Sequence, residues 1–197
     1  ASLSYTVRYK EMRFIEKNGK RKTEEENTMN TIECMKKRKS VRSYSGKKVE
    51  RDLLDLIMKA GLQAPSGKNG QPWRFYLIHE DKNLFRRIAE QTVYFPSVYY
   101  ADCLLLVFLD KEESYHYIKD VQAIGACIEN MLLAAEELGV GVCWNGEILR
   151  NEEKVKEILS IGNRYDLMAM LAIGYSSEEQ SLKPLRKDLK EVLLGNA

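Results

Sequence analysis

Residues 101–110, ADCLLLVFLD, make one apolar run interrupted only by Asp102 and closed by Asp110. A membrane-spanning helix needs roughly 18 to 20 apolar residues, so this run is too short to cross a bilayer as a helix. It also lacks the polar alternation of a strand with one wet face, and reads as a central strand buried on both sides. Such a strand needs helices above and below it, so a three-layer arrangement is expected.

The flanking periodicities supply the other elements. Asn30 is placed to cap a helix through TIECMKKRKS, with Glu33 as its capping-box partner. Leu53, Leu54, Ile57, Met58 and Gly61 fall at helical spacing over residues 50–62. A short helix is expected over 84–91, and another over 151–159. A long one covers 121–138, where Ile124, Ile128, Met131, Leu132, Ala135 and Leu138 share a face and Gly139 serves as C-cap. WRFYLIHE, VGVCWNGEI (running into a turn) and LMAMLAIGY complete the strands. The expected class is α+β, an α/β/α sandwich. At 197 residues the chain can bury a substantial core as one domain, over 29–197. Residues 1–28 differ: aromatic and charged residues alternate, and Asn18-Gly19 is a hairpin signal. The same stretch also reads as a leader or tag preceding Met29.

Charge and cysteine usage narrow the function classes. Lys and Arg total 31 against 29 Asp and Glu, a formal charge of +2, so no basic field invites nucleic acid and any anion site must be local. Cys34, Cys103, Cys127 and Cys143 are scattered, with no CxxC pair or metal-binding spacing. They read as mostly buried thiols of a reducing compartment, and with no apolar signal segment the expectation is a cytoplasmic protein without a membrane anchor.

Two nucleotide motifs fail on inspection. A P-loop needs four residues between its glycines and a hydroxyl after Lys, between a strand and a helix. Here five residues separate Gly61 from Gly67, Asn69 takes the hydroxyl's place, and helix precedes strand. A dinucleotide fingerprint would need glycine where Trp144 stands, after a strand instead of a helix. His79 and His116 have no companions at ligand spacing and read as surface residues, so neither a metal site nor a nucleophilic triad is expected.

Four separated features survive. MKKRKSVRSY sets Lys36, Lys37, Arg38, Lys39 and Arg42 around Ser40, as a solvated helix end or as a grip for a phosphate or carbonyl edge. PSGKNGQPW is explained as a turn by Pro and Gly, yet adds donors and acceptors at Ser66, Asn69 and Gln71. CWNGEI ends a strand at Asn145-Gly146, where backbone amides could face a ligand. The last is the cluster of Lys183, Arg186 and Lys187.

In this order the features resemble the FMN-dependent nitroreductase family. Arg38-Lys39-Ser40-Val41-Arg42-Ser43-Tyr44 matches its R-R-S-[IV]-R-x-[FY]. Ala64, Pro65, Ser66, Asn69, Gln71, Pro72 and Trp73 match A-P-S-x-x-N-x-Q-P-W. A helix from Glu129-Asn130-Met131 to Gly141, the turn Trp144-Asn145-Gly146 and the stretch from Arg186 to Val192 complete a likeness over about residues 30–193. The resemblance implies a mixed, mainly antiparallel sheet flanked by helices, and an intertwined homodimer with FMN at the subunit interface. It implies that Arg38, Ser40 and Arg42 meet the phosphate, ribityl chain and pyrimidine edge, with Lys39 contributing its main chain. Pro65, Ser66, Gly67 and Asn69, with Gln71 in the same loop, would approach the flavin of the partner subunit. The turn at Asn145 and Gly146 would present a backbone amide to N5, and Arg186 with Lys183 or Lys187 would hold the phosphate.

The implied activity is hydride transfer from NADH or NADPH, then reduction of nitroaromatics, quinones or similar small-molecule acceptors by ping-pong kinetics. FMN carries the redox chemistry, so no catalytic side chain is required. The alternatives are flavin destruction, reductive dehalogenation, peptide dehydrogenation, or a flavin carrier or redox sensor without turnover.

Overall fold

A computed structural model of the chain describes residues 30–177 and 185–195. The candidate hairpin within residues 1–28 and the cation Lys183 lie outside the described residues. The apolar run is the centre of the molecule. It forms β2 (Cys103–Asp110), paired antiparallel with β1 (Trp73–Ile78) on one side and β4 (Tyr165–Gly174) on the other. β4 pairs antiparallel with β3 (Gly141–Asn145), giving the order β1-β2-β4-β3. Among the described residues, parallel pairing is confined to an isolated bridge between Ser40 and Val142.

Every residue of β2 is buried, and its side chains alternate between two cores. Cys103, Leu105, Val107 and Leu109 pack towards α2 (Arg51–Gly61) and α5 (Tyr117–Glu137). Leu104, Leu106 and Phe108 pack towards α3 (Lys82–Ala89) and α6 (Glu152–Leu159), in a core that also takes Val98 of the short α4 (Phe95–Val98). A fully buried Leu or Phe side chain is worth about 1.5–3 kcal/mol, so a strand buried on both faces holds both layers at once.

β4 departs from strict alternation. Its register against β2 shifts between Val107 and Phe108, which face Ala169 and Leu167, so Met168 is an extra residue in the ladder. That bulge changes the phase: Ala169 and Leu171 join the α2/α5 core, whereas Leu167 joins the α3/α6 core.

Polar contacts fix both ends of β2. Asp110 is fully buried and accepts from Arg164 Nε and Nη2 at 2.7 Å each, with Arg74 Nη2 at 3.0 Å. The Arg164 hydrogen bonds hold its carboxyl below the usual range against the opposing effect of burial. At the other end Asp102 accepts from Val49 N–H at 2.8 Å and lies 3.0 Å from His79 Nε2. His79 is therefore not the surface residue expected: its side chain is only 13% exposed, packed against this carboxylate.

Helix limits follow local capping. Asn30 Oδ1 accepts from Glu33 N–H at 3.0 Å to start α1 (Thr31–Lys37). α5 begins earlier than its apolar spacing implied, because buried Asp120 accepts from Ser114 Oγ at 2.7 Å and His116 N–H at 3.0 Å, organising the turn ahead of it. Gly139 follows α5 with φ +69°, as expected of a glycine closing a helix. At Gly61 a Cβ would stand 2.8 Å from Met131 Cγ, so the close approach of α2 to α5 needs glycine there. A last short helix, α7 (Leu189–Val192), is started by Asp188 in a capping box with Glu191. Among the described residues no helix is long and apolar enough to cross a membrane.

Candidate functional site

The segment after α1 becomes a strap along the free edge of β3. Arg38 ends the helix with an extended ψ of 129°, and Val41 N–H donates to Val142 O at 3.1 Å. The buried Tyr44 hydroxyl lies 2.8 Å from Val41 O and 2.9 Å from Ala172 O, sharing one proton between two carbonyls. Burial pushes its phenol far above the ordinary range, so it stays a neutral donor. Close approach requires two glycines: a Cβ on Gly141 would be 2.7 Å from Val41 Cγ2, and one on Gly174 would be 2.9 Å from Tyr44 Cδ1.

Between strap, β3 and α4 lies an open cleft of ≈ 260 Å³. Val41, Arg42 and Tyr44 form one wall, residues 143–147 the floor and lip, and Tyr94, Ser97 and Val98 the far wall. The Arg42 guanidinium is exposed, and among the described residues its hydrogen bond is to Ser40 O at 3.5 Å. The Cys143 thiol in the floor is pushed up by burial against the opposing pull of Arg42, which keeps it neutral.

The turn at the lip is held from behind. Asn145 is buried, its Nδ2 donating to Thr92 Oγ1 at 3.1 Å and its Oδ1 accepting from Ile148 N–H at 3.2 Å. Thr92 Oγ1–H donates to Glu147 Oε2 at 2.7 Å, and the same oxygen accepts from Val93 N–H at 3.1 Å. These bonds, the Thr92 hydroxyl first, hold the Glu147 carboxyl below its ordinary range. Asn145 thus spends its side chain on the scaffold. The Gly146 and Glu147 amides are left without a backbone acceptor among the described residues.

The loop of residues 64–72 is built differently. Lys68, Asn69 and Gln71 all take left-handed φ, at 54°, 55° and 47°, a conformation costing about 1–3 kcal/mol per non-glycine residue. Ser66 Oγ accepts from Gln71 N–H at 3.0 Å, and Arg74 Nη1 donates to Gln71 O at 3.1 Å while its Nη2 pairs with Asp110. Pro65, Asn69 and Gln71 are exposed, with Ser66 and Gly67 half-buried.

Of the expected site residues, the structure brings Arg42, Asn145 and Gly146 into one cleft, with Ser40 bridged to Val142 beside it. The loop lies elsewhere. It leads into β1 at Trp73, which pairs with Leu109 on the opposite edge of the sheet from β3. Three strand spacings separate those edges, ~14 Å. Arg38 Nε faces Glu129 of α5 at 3.6 Å, and Lys39 is half-buried within the strap. Arg186 and Lys187 are exposed in the segment 185–195, where Arg186 Nη1 donates to its neighbour's carbonyl, Leu185 O, at 3.0 Å. The far wall and its clamp, Tyr94, Ser97, Thr92 and Glu147, were missed. The signal for Tyr94 and Ser97 was the aromatic density of VYFPSVYY at 93–100; Thr92 and Glu147 carried none.

The donor set suits a planar ring rich in nitrogen and oxygen: an exposed guanidinium, two backbone amides with no backbone acceptor among the described residues and a cleft wide enough for a ring edge. A cation-rich strap at its end suits an anionic tail.

The profile of the Nitroreductase family matches residues 35–93 and 89–175. A protein of Archaeoglobus fulgidus, provisionally named NADH dehydrogenase/NAD(P)H nitroreductase, is 32% identical over 154 residues, covering 75% of this chain and 88% of that protein. An iodotyrosine deiodinase of Thermotoga neapolitana is 31% identical over 176 residues, covering 76% and 90%. A protein of Desulfovibrio desulfuricans, provisionally named a nitroreductase and crystallised with FMN, has a TM-score of 0.81 and 37% identity, covering 86% of this chain and 99% of that one.

Proposed function

This chain belongs to the nitroreductase family of oxidoreductases, and on that premise we propose that it takes hydride from NADH or NADPH and reduces nitroaromatics, quinones or similar conjugated acceptors. The observation that carries the proposal is the convergence of the exposed Arg42 with the amides of Gly146 and Glu147 in one cleft.

FMN, when bound, supplies the hydride and electron chemistry. The chain supplies orientation and charge. Arg42 would set a permanent cation at the pyrimidine edge, favouring negative charge there, and the Gly146 amide would offer a fixed donor at N5. Arg38, Ser40 and the main chain of Lys39 would hold the ribityl chain and phosphate, helped by Arg186 with Lys183 or Lys187 of the C-terminal segment. For Arg38 this means exchanging or sharing its contact with Glu129.

Pro65, Ser66, Gly67, Asn69 and Gln71 would serve the cleft of a second copy, because in their own subunit they stand on the wrong edge of the sheet. Exposed apolar groups support a homodimer: Ile118 and Val121 on α5, and Leu185, Leu189, Leu193 and Leu194 in the C-terminal segment. A two-fold interface would give two equal sites. Buried free thiols fit a reducing, cytoplasmic setting.

The test begins with the absorption spectrum of purified protein, where flavin bands are expected, and with sedimentation, where a dimer is expected. Anaerobic NADH or NADPH should bleach the flavin, and a quinone or nitroarene should restore it. Bound flavin that neither nicotinamide reduces would indicate a carrier. Donor and acceptor sharing one cleft should give parallel double-reciprocal lines; convergent lines would count against taking turns. The identity to an iodotyrosine deiodinase favours reductive dehalogenation as the second reading, testable by iodide release from iodotyrosine.

A further inference from the structure

We propose that Lys68, Tyr115 and Lys119 form a recognition site for the anionic group of a planar-ring ligand approaching the flavin of the partner subunit, an inference that depends on the dimeric flavoprotein reading above. Tyr115 has two cations on its ring: Lys68 Nζ at 5.0 Å from the centroid and Lys119 Nζ at 5.6 Å. Each such contact on an exposed ring is worth about 0.5–1 kcal/mol. Gathering two ammonium groups at one ring opposes that gain unless an anion joins them.

The neighbouring carboxylates are committed elsewhere. Glu113 faces Arg74 at 3.9 Å, Glu112 pairs with Arg164, and buried Asp120 accepts from Ser114 Oγ and His116 N–H. Among the described residues neither Lys68 nor Lys119 has a carboxylate partner. All three side chains are exposed, so a ligand can reach them.

Their place in the fold gives the cluster a direction. A Cβ on Gly67 would collide with the hydroxyl and ring of Tyr115, so Tyr115 is seated on the loop assigned to the partner's flavin. Lys68 belongs to the same loop, held at φ 54°. Lys119 is in the first turn of α5, and Tyr115 lies in the turn just ahead of that helix. A ligand lying on that flavin would meet an aromatic face for its ring and two ammonium groups for a carboxylate or phosphate. That chemistry belongs to an acidic aromatic acceptor or to the extra phosphate that distinguishes NADPH from NADH.

The experiment uses the FMN-loaded dimer with Lys68→Gln, Lys119→Gln and both together. It measures kcat and KM for 4-nitrobenzoate against 4-nitrobenzamide, and for NADPH against NADH. Calorimetric titration of the oxidised protein with 4-nitrobenzoate and with NADP⁺ provides a binding readout independent of turnover. In the double variant the charged member of at least one pair should lose about tenfold in kcat/KM, through KM, with an equal loss in calorimetric affinity and its neutral counterpart within twofold. The loss should fade at 1 M salt, where the screening length falls to about 3 Å. The responding pair identifies the source of the anion. An active, flavin-loaded wild type whose selectivity is unchanged in the double variant would overturn this site alone. Equal losses for charged and neutral members would overturn it too, and a wild type that binds no flavin would overturn both this site and the functional reading.

Discussion

The β3 edge and the β1 edge of the same sheet are built on opposite plans. At the β3 edge the strap, the Asn145 turn and the Thr92 segment satisfy one another: Tyr44 bridges two carbonyls, and Asn145, Thr92 and Glu147 close a chain of hydrogen bonds. At the β1 edge three residues of one loop stand in left-handed conformations with their side chains outward. A wall completed within the subunit can tolerate buried polar groups because each has a partner. A loop held in a strained shape by a few contacts at its base, with its polar side chains turned to solvent, is shaped for contacts that the subunit alone does not provide.

The largest test of this contrast removes the second copy. Ile118→Glu with Val121→Glu places charges on an exposed face of α5, so the subunit should still fold but sediment as a monomer. Losing three polar contacts from the partner loop at about 1 kcal/mol each would weaken FMN binding about a hundredfold. Undiminished flavin affinity in a monomer would end the claim that the β1 loop serves another subunit.

Asp110 sharpens the contrast through pH, because it holds Arg74, which in turn holds Gln71 O at the base of the strained loop. Asp110→Ala removes the shared acceptor of two half-exposed guanidinium groups, which keep Glu112 and Glu113 as partners, and should cost about 1–3 kcal/mol in urea unfolding. Its folded carboxyl titrates below the ordinary carboxylate value of 3.8. The stability it contributes is therefore fully present above that value and lost as pH falls through the depressed one. The wild type should weaken below about pH 4, and a variant lacking Asp110 should show a flatter acid limb.

At the β3 edge, Thr92→Val strands the Asn145 amide and removes one donor from Glu147. The expected loss is about 1–3 kcal/mol, with Thr92→Ser close to wild type in the same denaturation assay. Equal stability of the Val and Ser variants would show that the clamp is slack. The smallest effect belongs to Gln71→Gly, which keeps the N–H bond to Ser66 while relieving a φ of 47°. The free subunit should gain about 0.5–1 kcal/mol, and flavin affinity should fall if the pre-set loop shape matters.

Much of the architecture could be read from spacing. The run at 101–110 announced a strand covered on both faces, and β2 lies at the centre of the sheet with every residue buried. The helix caps at Asn30 and Gly139 were legible because capping is decided within four residues of chain. Less legible was the early start of α5, which depends on a buried carboxylate reaching back to Ser114 and His116. His79 read as a surface histidine for a similar reason: its partner Asp102 lies 23 residues away and meets it only in the fold. Half of the cleft was visible as Arg42 and Asn145-Gly146, whereas the Tyr94 wall was hidden behind aromatic residues with no motif of their own.

The sequence by itself determined the four strands, the main helices with the faces they bury, and the kinship that its motifs carry, since these follow from periods of two and 3.6 residues and from short fixed spacings; the helix expected through Ser40 instead stops at Lys37, where the strap pairs with β3. Only the tertiary structure decided that residues 42, 94 and 145 share a cleft while 65–71 lead into the opposite edge of the sheet. Strand order and the bulge at Met168 set which edge and which face each segment reaches. Those are properties of pairing between distant segments, to which no local pattern has access.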